Sequence, residues 1–319
     1  MNNTGLEFEK PILEFEKKIN ELKELASLLK TDLSSEIKAL DKRLLKAKRA
    51  AYSNLTPWQK VLVSKVPERP SSANYIDSLM RNKVELFGDR IFGDDSAIIG
   101  GLGNFRGQDV VFLGQEVGRD TKERLARNFG LMHPEGYRKA LRLMKLAEKF
   151  GKPVITFVDT QGAHPGIEAE ERGQALAIAE NLAQMSALEV PIVCIVIGWG
   201  GSGGALGIGV ADRILMLEHA VYSVCPPETC SQILWRDNEH AVEAAEALKL
   251  TASELLELGI IDEVIQEPLG GAHRDPKLTV YRVGRALKRN LGALLSIDKD
   301  ELLEQRYQKY RDMGSAELS

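Results

Sequence analysis

Apolar residues near the start recur at three- and four-residue steps (Ile12, Phe15, Ile19, Leu22, Leu29), with Glu and Lys filling the positions between. That spacing predicts a helix with one apolar face. The pattern resumes at Leu33, Ile37, Leu40 and Leu44, after Thr31-Asp32, whose side chains can cap a second helix. The two read as a helical hairpin over residues 1–55, outside the main fold, meeting a partner or simply docked on its own chain. Residues 56–319 are expected to form the main domain with a helical tail. Thr56-Pro57 opens a further helix, with proline at the first helical position. Val66–Ser72 (VPERPSS) reads as a linker or turn, and Ala97–Gly101 and Asp109–Gly114 as strands joined across Asn104–Gly107.

Beyond residue 133 the pattern alternates. A helix is predicted over Pro134–Phe150, a strand over Pro153–Val158, a loop over Asp159–Gly166 (DTQGAHPG) and one long helix over Glu168–Leu188. A central strand and a glycine-rich turn follow. Next come a strand at Arg213–Leu217, a segment at Tyr222–Glu228, helices through Gly259 and a short strand at Ile260–Ile265. From Lys277 the tail is helical, with Leu287, Leu291 and Leu294 in step. Alternation of this kind predicts an α/β fold of parallel strands with crossover helices, where sites gather at the strands' C-terminal ends.

The chain is organised around Ile192–Ile214 (IVCIVIGWGGSGGALGIGVADRI). Ile192–Ile197 is a continuous apolar run suited to a strand covered on both faces. From Gly198 to Gly204 only Trp199 and Ser202 carry side chains, which implies positive φ angles or a backbone pressed against a ligand. The helix that follows begins with free N–H groups, a place for an oxyanion. Three chemistries fit these residues. Gly198-x-Gly200-x-x-Gly203 matches a dinucleotide fingerprint, with Glu218 as the ribose-binding acid. Gly200-x-Ser202-x-Gly204 matches a nucleophile elbow with Ser202 as nucleophile. Alternatively, the main-chain amides of Gly203 and Gly204 do the work without any side chain. A turn that only allows close packing is the plainest alternative.

Composition narrows this little. Apolar content is 44%, charged content 28% and the formal net charge −4, ordinary for a soluble globular protein and unlike a nucleic-acid binder. No apolar run has the ~18 residues of a membrane span, and no signal-peptide core precedes Lys30, so the cytoplasm is expected. Three cysteines without a C-x-x-C pair and five scattered histidines give no disulfide framework and no metal site, and Cys194 is expected in the core. Arg119, Lys122, Arg124 and Arg127, followed by Arg138, Lys139, Arg142 and Lys145, form a basic stretch. It suits a phosphate-bearing ligand, an acidic carrier or a solvated helix face.

The order of strand, Gly-Gly turn, small-residue helix, Ala211-Asp212-Arg213, strand and Pro226-Pro227-Glu228 resembles the crotonase-like superfamily. GRDTK at Gly118–Lys122, Asn128–Gly130, PEGYRKALRLM at Pro134–Met144, EERGQ at Glu170–Gln174, GGSGGAL at Gly200–Leu206 and EPLGGAHR at Glu267–Arg274 narrow it. These blocks resemble the family of bacterial acetyl-coenzyme A carboxylase carboxyltransferase alpha subunits. The resemblance implies a crotonase/ClpP-like spiral of ββα units and an alpha2beta2 assembly with a beta subunit that carries the family's zinc ribbon. It also implies carboxyl transfer from carboxybiotin on a biotin carboxyl carrier protein to acetyl-CoA. The product is malonyl-CoA, in the committed step of fatty acid synthesis, and a separate biotin carboxylase uses the ATP.

For this chain the resemblance implies no covalently bound cofactor and an oxyanion hole of backbone amides at Gly203 and Gly204, with Ala205 next in line. Gly162, Ala163, His164, Gly201, Ser202, Arg119 and Lys122 are the candidate substrate-binding residues. Three departures stand out: Gln161 where the family usually has proline, His164 where it has tyrosine, and Trp199 where an acidic residue is expected. They keep a non-catalytic scaffold alive as an alternative, beside a serine hydrolase using Ser202.

Overall fold

The hairpin predicted at the N-terminus forms, and its base is tied to the rest of the chain. The computed structural model describes residues 6–314, so residues 1–5 and 315–319 of the two expected units lie outside it. Helices α1 (Lys10–Leu29) and α2 (Ser34–Tyr52) are joined where Lys30 turns left-handed (φ 48°) and Asp32 Oδ1 accepts the Ser34 N–H at 3.0 Å. Ion pairs Lys23–Asp41 and Lys48–Glu16 run in opposite order along the two helices, which makes them antiparallel. At the base Leu6, Ile12 and Tyr52 pack with Val63 and Val66. There the buried Glu9 carboxylate accepts from the Tyr52 hydroxyl and, at 3.1 Å, from Arg274. The tip is bare, with Leu28 80% exposed.

Thr56 and Gln59 form a reciprocal capping box that starts α3 (Pro57–Ser64). The expected linker is no free tether: Arg69 within it is buried, and α4 (Ser72–Leu79) starts at its last residue. Arg69 donates to both Glu267 carboxylate oxygens (2.8 and 2.7 Å) and to Ile197 O (3.0 Å), pinning the segment under the sheet.

Strand β1 (Arg81–Glu85) was not expected, because every residue of it is exposed and it carries no alternation to read. β2 (Ile98–Phe105) and β3 (Gln108–Gln115) form the predicted hairpin, closed by Arg106 and Gly107 with φ of 51° and 95°. Two positive angles in a two-residue loop match the twist of the flanking strands. After α5 (Thr121–Ala126) comes α6 (Pro134–Lys149), whose apolar face (Tyr137, Ala140, Met144, Ala147) lies in the core.

Most of the basic residues on α6 neither face solvent nor wait for a ligand. Arg138 holds Asp89 (2.7 Å) and Arg172 O, Lys139 holds Ile98 O (2.9 Å) and Asp94, and Arg142 reaches the carbonyls of Gly88 and Phe87. They clamp the 86–95 loop, and only Lys145 of the four is exposed.

The remaining elements are β4 (Val154–Thr160), α7 (Ile167–Glu171), α8 (Gln174–Ala187), β5 (Ile192–Gly201), α9 (Ser202–Leu206), β6 (Arg213–Leu217) and β7 (Val221–Ser223). After them come α10 (Pro227–Trp235), α11 (Ala241–Ala247), α12 (Ala252–Glu257), β8 (Glu263–Ile265), α13 (Pro276–Leu294) and α14 (Lys299–Asp312). The single helix expected over Glu168–Leu188 is two, because Gly173 turns left-handed (φ 84°) between α7 and α8. The strands pair in the order β1-β2-β3-β4-β5-β6-β8, antiparallel as far as β3 and parallel beyond it, with β7 added to the end of β5. β5 serves two neighbours in succession. Val193–Val196 pair with β6 and Trp199–Gly201 with β7, so the sheet turns at the place where the site lies. This is the α/β architecture expected, and Cys194 is buried in it as expected, its thiol pushed up to about 11 by burial.

One cation closes the far end. Arg306 on α14, 1% exposed, donates to both oxygens of Asp212 (2.7 and 2.9 Å) and to the carbonyls of Met185, Leu188 and Val190. Removing one partner of such a buried pair strands a charge and several acceptors. Arg306→Ala is expected to lower the unfolding free energy in urea by about 3–5 kcal/mol. Lys299→Ala, at the exposed Lys299–Glu189 pair, should leave it unchanged within error.

Candidate active site

The C-terminal ends of β4 and β5 lie side by side, with Thr160 paired to Gly200, and their loops are in direct contact. The glycines of β5 are not a turn, as expected, but extended strand up to Gly201. None of Gly198, Gly200, Gly201, Gly203 and Gly204 has a positive φ. What they provide is the missing side chain. A methyl at Gly201 would sit 2.9 Å from Gln161 Cα and overlap its carbonyl; one at Gly204 would come 2.6 Å from Ala163 N and overlap Gly162. The left-handed residue is instead Ser202 (φ 53°), where the chain leaves the strand and enters α9.

The loop after β4 is shaped by its own contacts. Thr160 Oγ1 donates to Gly130 O or Gly162 O, each at 2.7 Å, and accepts the Gly162 N–H. Ala163 bridges Met132, the His164 N–H donates to Met132 O (3.0 Å), and Gln174 Nε2 donates to Met132 O and His164 O. Gln115 joins the two loops: its Nε2 donates to Gly204 O (2.7 Å) while its Oε1 accepts the Asp159 N–H (3.2 Å).

Gly162, Ala163, His164, Gly201, Ser202, Gly203, Gly204 and Ala205 are therefore brought together. The Gly203 and Gly204 N–H groups stand in the first turn of α9, where no intrahelical acceptor exists, and among the described residues neither donates a hydrogen bond to another element. Ser202 and Gly203 line an open, largely apolar cavity of about 460 Å³ with Leu206, Tyr222 and Val224. Gly204 and Ala205 are buried behind them. Arg119 is separate from this cavity. It lines a second, polar cavity of about 150 Å³ with Lys65, Arg69, Arg124, Asp159, Gln161 and Trp199. Lys122 is exposed on α5 and lines neither.

Asp159 is the perturbed acid of the site. Burial raises it to about 6 against the opposing pull of the Trp199 N–H (2.9 Å) and Arg69. His164 is lowered by burial and by its neighbour His133, whose ring lies edge-on with centroids 4.1 Å apart. Trp199 points away from the amides: it is 3% exposed, packs with Val61, Val221 and Leu250, and carries Lys65 over its ring. Sequence reasoning missed Gln115 and the pairing of His133 with His164. Nothing local marks a glutamine at a strand end, and the two histidines meet through tertiary contacts, the Met132–Ala163 bridge and the bonds beside it.

Two rival readings gain no support from the contacts. Among the described residues no histidine hydrogen-bonds to Ser202. Glu218, the supposed ribose acid, has one oxygen engaged in accepting the Glu267 N–H at 3.0 Å.

A sequence model of the family described as acetyl co-enzyme A carboxylase carboxyltransferase-like matches residues 5–314. The chain belongs to that family. An acetyl-coenzyme A carboxylase carboxyl transferase subunit alpha from Geobacillus sp. (strain WCH70) is 53% identical over 314 residues, covering 98% of this chain and 97% of that protein. Its counterpart from Thermus thermophilus is 52% identical over 310 residues, covering 97% and 98%. Among solved structures, the Pseudomonas malonate decarboxylase hetero-tetramer in complex with coenzyme A matches with TM-score 0.58 at 18% identity, covering 71% of this chain and 90% of that one. Transcarboxylase 12S, with methylmalonyl-coenzyme A and methylmalonic acid bound, matches with TM-score 0.56 at 18% identity, covering 70% and 42%. At that identity the likeness concerns the fold, which is the crotonase-like carboxyltransferase fold expected.

Gly204→Ala should destabilise the protein by about 1–3 kcal/mol in urea, since the 162–163 backbone must move. Gly203→Ala, whose methyl would meet only Ile178 at 3.7 Å, should be near neutral. A raised acid weakens folding as pH climbs through its folded value, because only the charged form is penalised. Asp159→Asn keeps the acceptor for Trp199 and is expected to gain up to roughly 3 kcal/mol over wild type between pH 4 and pH 7.5, in denaturation series at several pH values.

Proposed function

We propose that this chain is the alpha subunit of an acetyl-CoA carboxylase carboxyltransferase, working in the cytoplasm. With a beta subunit, in an alpha2beta2 assembly, it moves the carboxyl group carried as carboxybiotin on a biotin carboxyl carrier protein to acetyl-CoA. The product is malonyl-CoA, used for fatty acid synthesis. The carboxyl donor is a substrate delivered by another protein, charged by a separate biotin carboxylase at the expense of ATP. The observation that carries the reading is the pair of uncommitted main-chain N–H groups at Gly203 and Gly204, one of them on the wall of the 460 Å³ cavity.

Negative charge develops on the ureido oxygen of the donor as the carboxyl group leaves. Fixed amides stabilise that charge without reorganising, and the close fit of Gly201 and Gly204 on residues 161–163 holds them still. No side-chain acid or base is required of this chain. The acceptor enolate needs a second set of donors, assigned to the beta subunit together with most of the coenzyme A. Gly162, Ala163 and His164 shape the rim of the amide site, and the exposed Arg119 and Lys122 are assigned to the carrier on their charge.

Reconstitution tests this. The chain, its beta subunit and biotinylated carrier are expected to form acetyl-CoA from malonyl-CoA in the reverse direction. Ser202→Ala should retain most of the rate, and Gly204→Ala, which keeps its N–H but displaces it, should lose about 10²-fold in kcat. No transfer at any subunit ratio would favour the scaffold, and loss of nearly all activity in Ser202→Ala would favour a hydrolase.

A further inference from the structure

Two histidines far apart in sequence and one acid meet beside the candidate active site. The parallel bridge between Met132 and Ala163 sets residues 133 and 164 next to each other, and their rings meet edge-on at 4.1 Å. Glu168, one helical turn beyond His164, folds back so that its Oε1 lies 3.0 Å from His164 Nε2. One ligand atom from each of His133, His164 and Glu168 lies within 4.8 Å of the other two. We propose that these three residues bind one divalent transition-metal ion of the zinc class at the rim of the site. The proposal goes beyond the carboxyltransferase reading and does not depend on it.

The donor set decides the class of ion. Two imidazoles and a carboxylate suit Zn²⁺, Co²⁺ and Ni²⁺, whereas Mg²⁺ and Ca²⁺ take all-oxygen shells. Three protein ligands leave at least one position open, the arrangement of a site that also holds water or a substrate oxygen. Ligand atoms around tetrahedral zinc lie roughly 3.3–3.5 Å apart, from bond lengths of about 2.0–2.2 Å. The His164–Glu168 pair is already that close, and the half-exposed Glu168 side chain is free to turn toward His133.

The backbone of both histidines is held in advance. His133 N–H donates to Asp95 Oδ2 (2.7 Å), His164 N–H donates to Met132 O, and Gln174 holds the carbonyls of Met132 and His164. Without metal, His164 Nδ1 accepts the Gly166 N–H at 3.2 Å, so its proton sits on Nε2 and points at Glu168. On binding, that proton moves to Nδ1, Nε2 turns its lone pair to the metal, and the long Gly166 contact is given up. No proton is released and no redox step occurs. Tyrosine at 164, which lacks the imidazole, supplies the metal-free control.

The test uses the untagged full chain alone, after EDTA dialysis. Titration with Co²⁺ is expected to give ligand-field absorption saturating at one ion per chain and lost on adding Zn²⁺. His164→Tyr and Glu168→Gln should each weaken binding roughly tenfold or more, with unchanged far-UV circular dichroism. Glu168 is exposed, so its variant keeps the test valid if His164→Tyr fails to fold. Absence of saturable absorption in wild type, or Glu168→Gln binding as tightly as wild type, would overturn the site.

Discussion

The site rests on two stretches of backbone lying closer than side chains allow. Gly201 and Gly204 touch the main chain of Gln161, Gly162 and Ala163 directly, and any Cβ there would force the loops apart. Main chain against main chain is a stiff contact, with no rotamer to relax it. The left-handed Ser202 then turns the chain so that the first amides of α9 emerge next to that contact. The arrangement keeps the amide donors fixed, and fixed donors stabilise developing charge without reorganising.

Much of this was legible in the sequence. The Ile192–Ile197 run marks β5, the three-and-four spacing marks α1, α2 and α6, and the loop order places the two glycine-containing segments at neighbouring strand ends. Errors arise where tertiary contact overrides local pattern. β1 is exposed along its length and pairs by backbone alone, so no periodicity announces it. Gly173 breaks a helix whose apolar spacing continues on either side. The glycines of β5 read as turn formers because sequence cannot separate a need for positive φ from a need for no side chain.

Charge is harder to read than hydrophobicity. Arg138, Lys139 and Arg142 resemble a ligand-binding stripe, yet each is committed to carbonyls or carboxylates of the 86–98 segment. Arg119 and Lys122, a few residues earlier, remain exposed. The difference lies in what the fold packs against each helix, and no count of basic residues carries it. In the same way, two of five histidines that show no spacing in the chain become a pair through tertiary contacts, the Met132–Ala163 bridge and the bonds beside it.

The clamp made by Arg306 also bears on the order in which the molecule is completed. Its guanidinium satisfies three carbonyls at the end of α8 and the carboxylate of Asp212, all more than ninety residues earlier in the chain. A polypeptide emerging from the ribosome has those acceptors long before it has their donor. The sheet can begin to assemble during synthesis, but the seam between α8 and β6 stays open to water until α14 arrives to seal it.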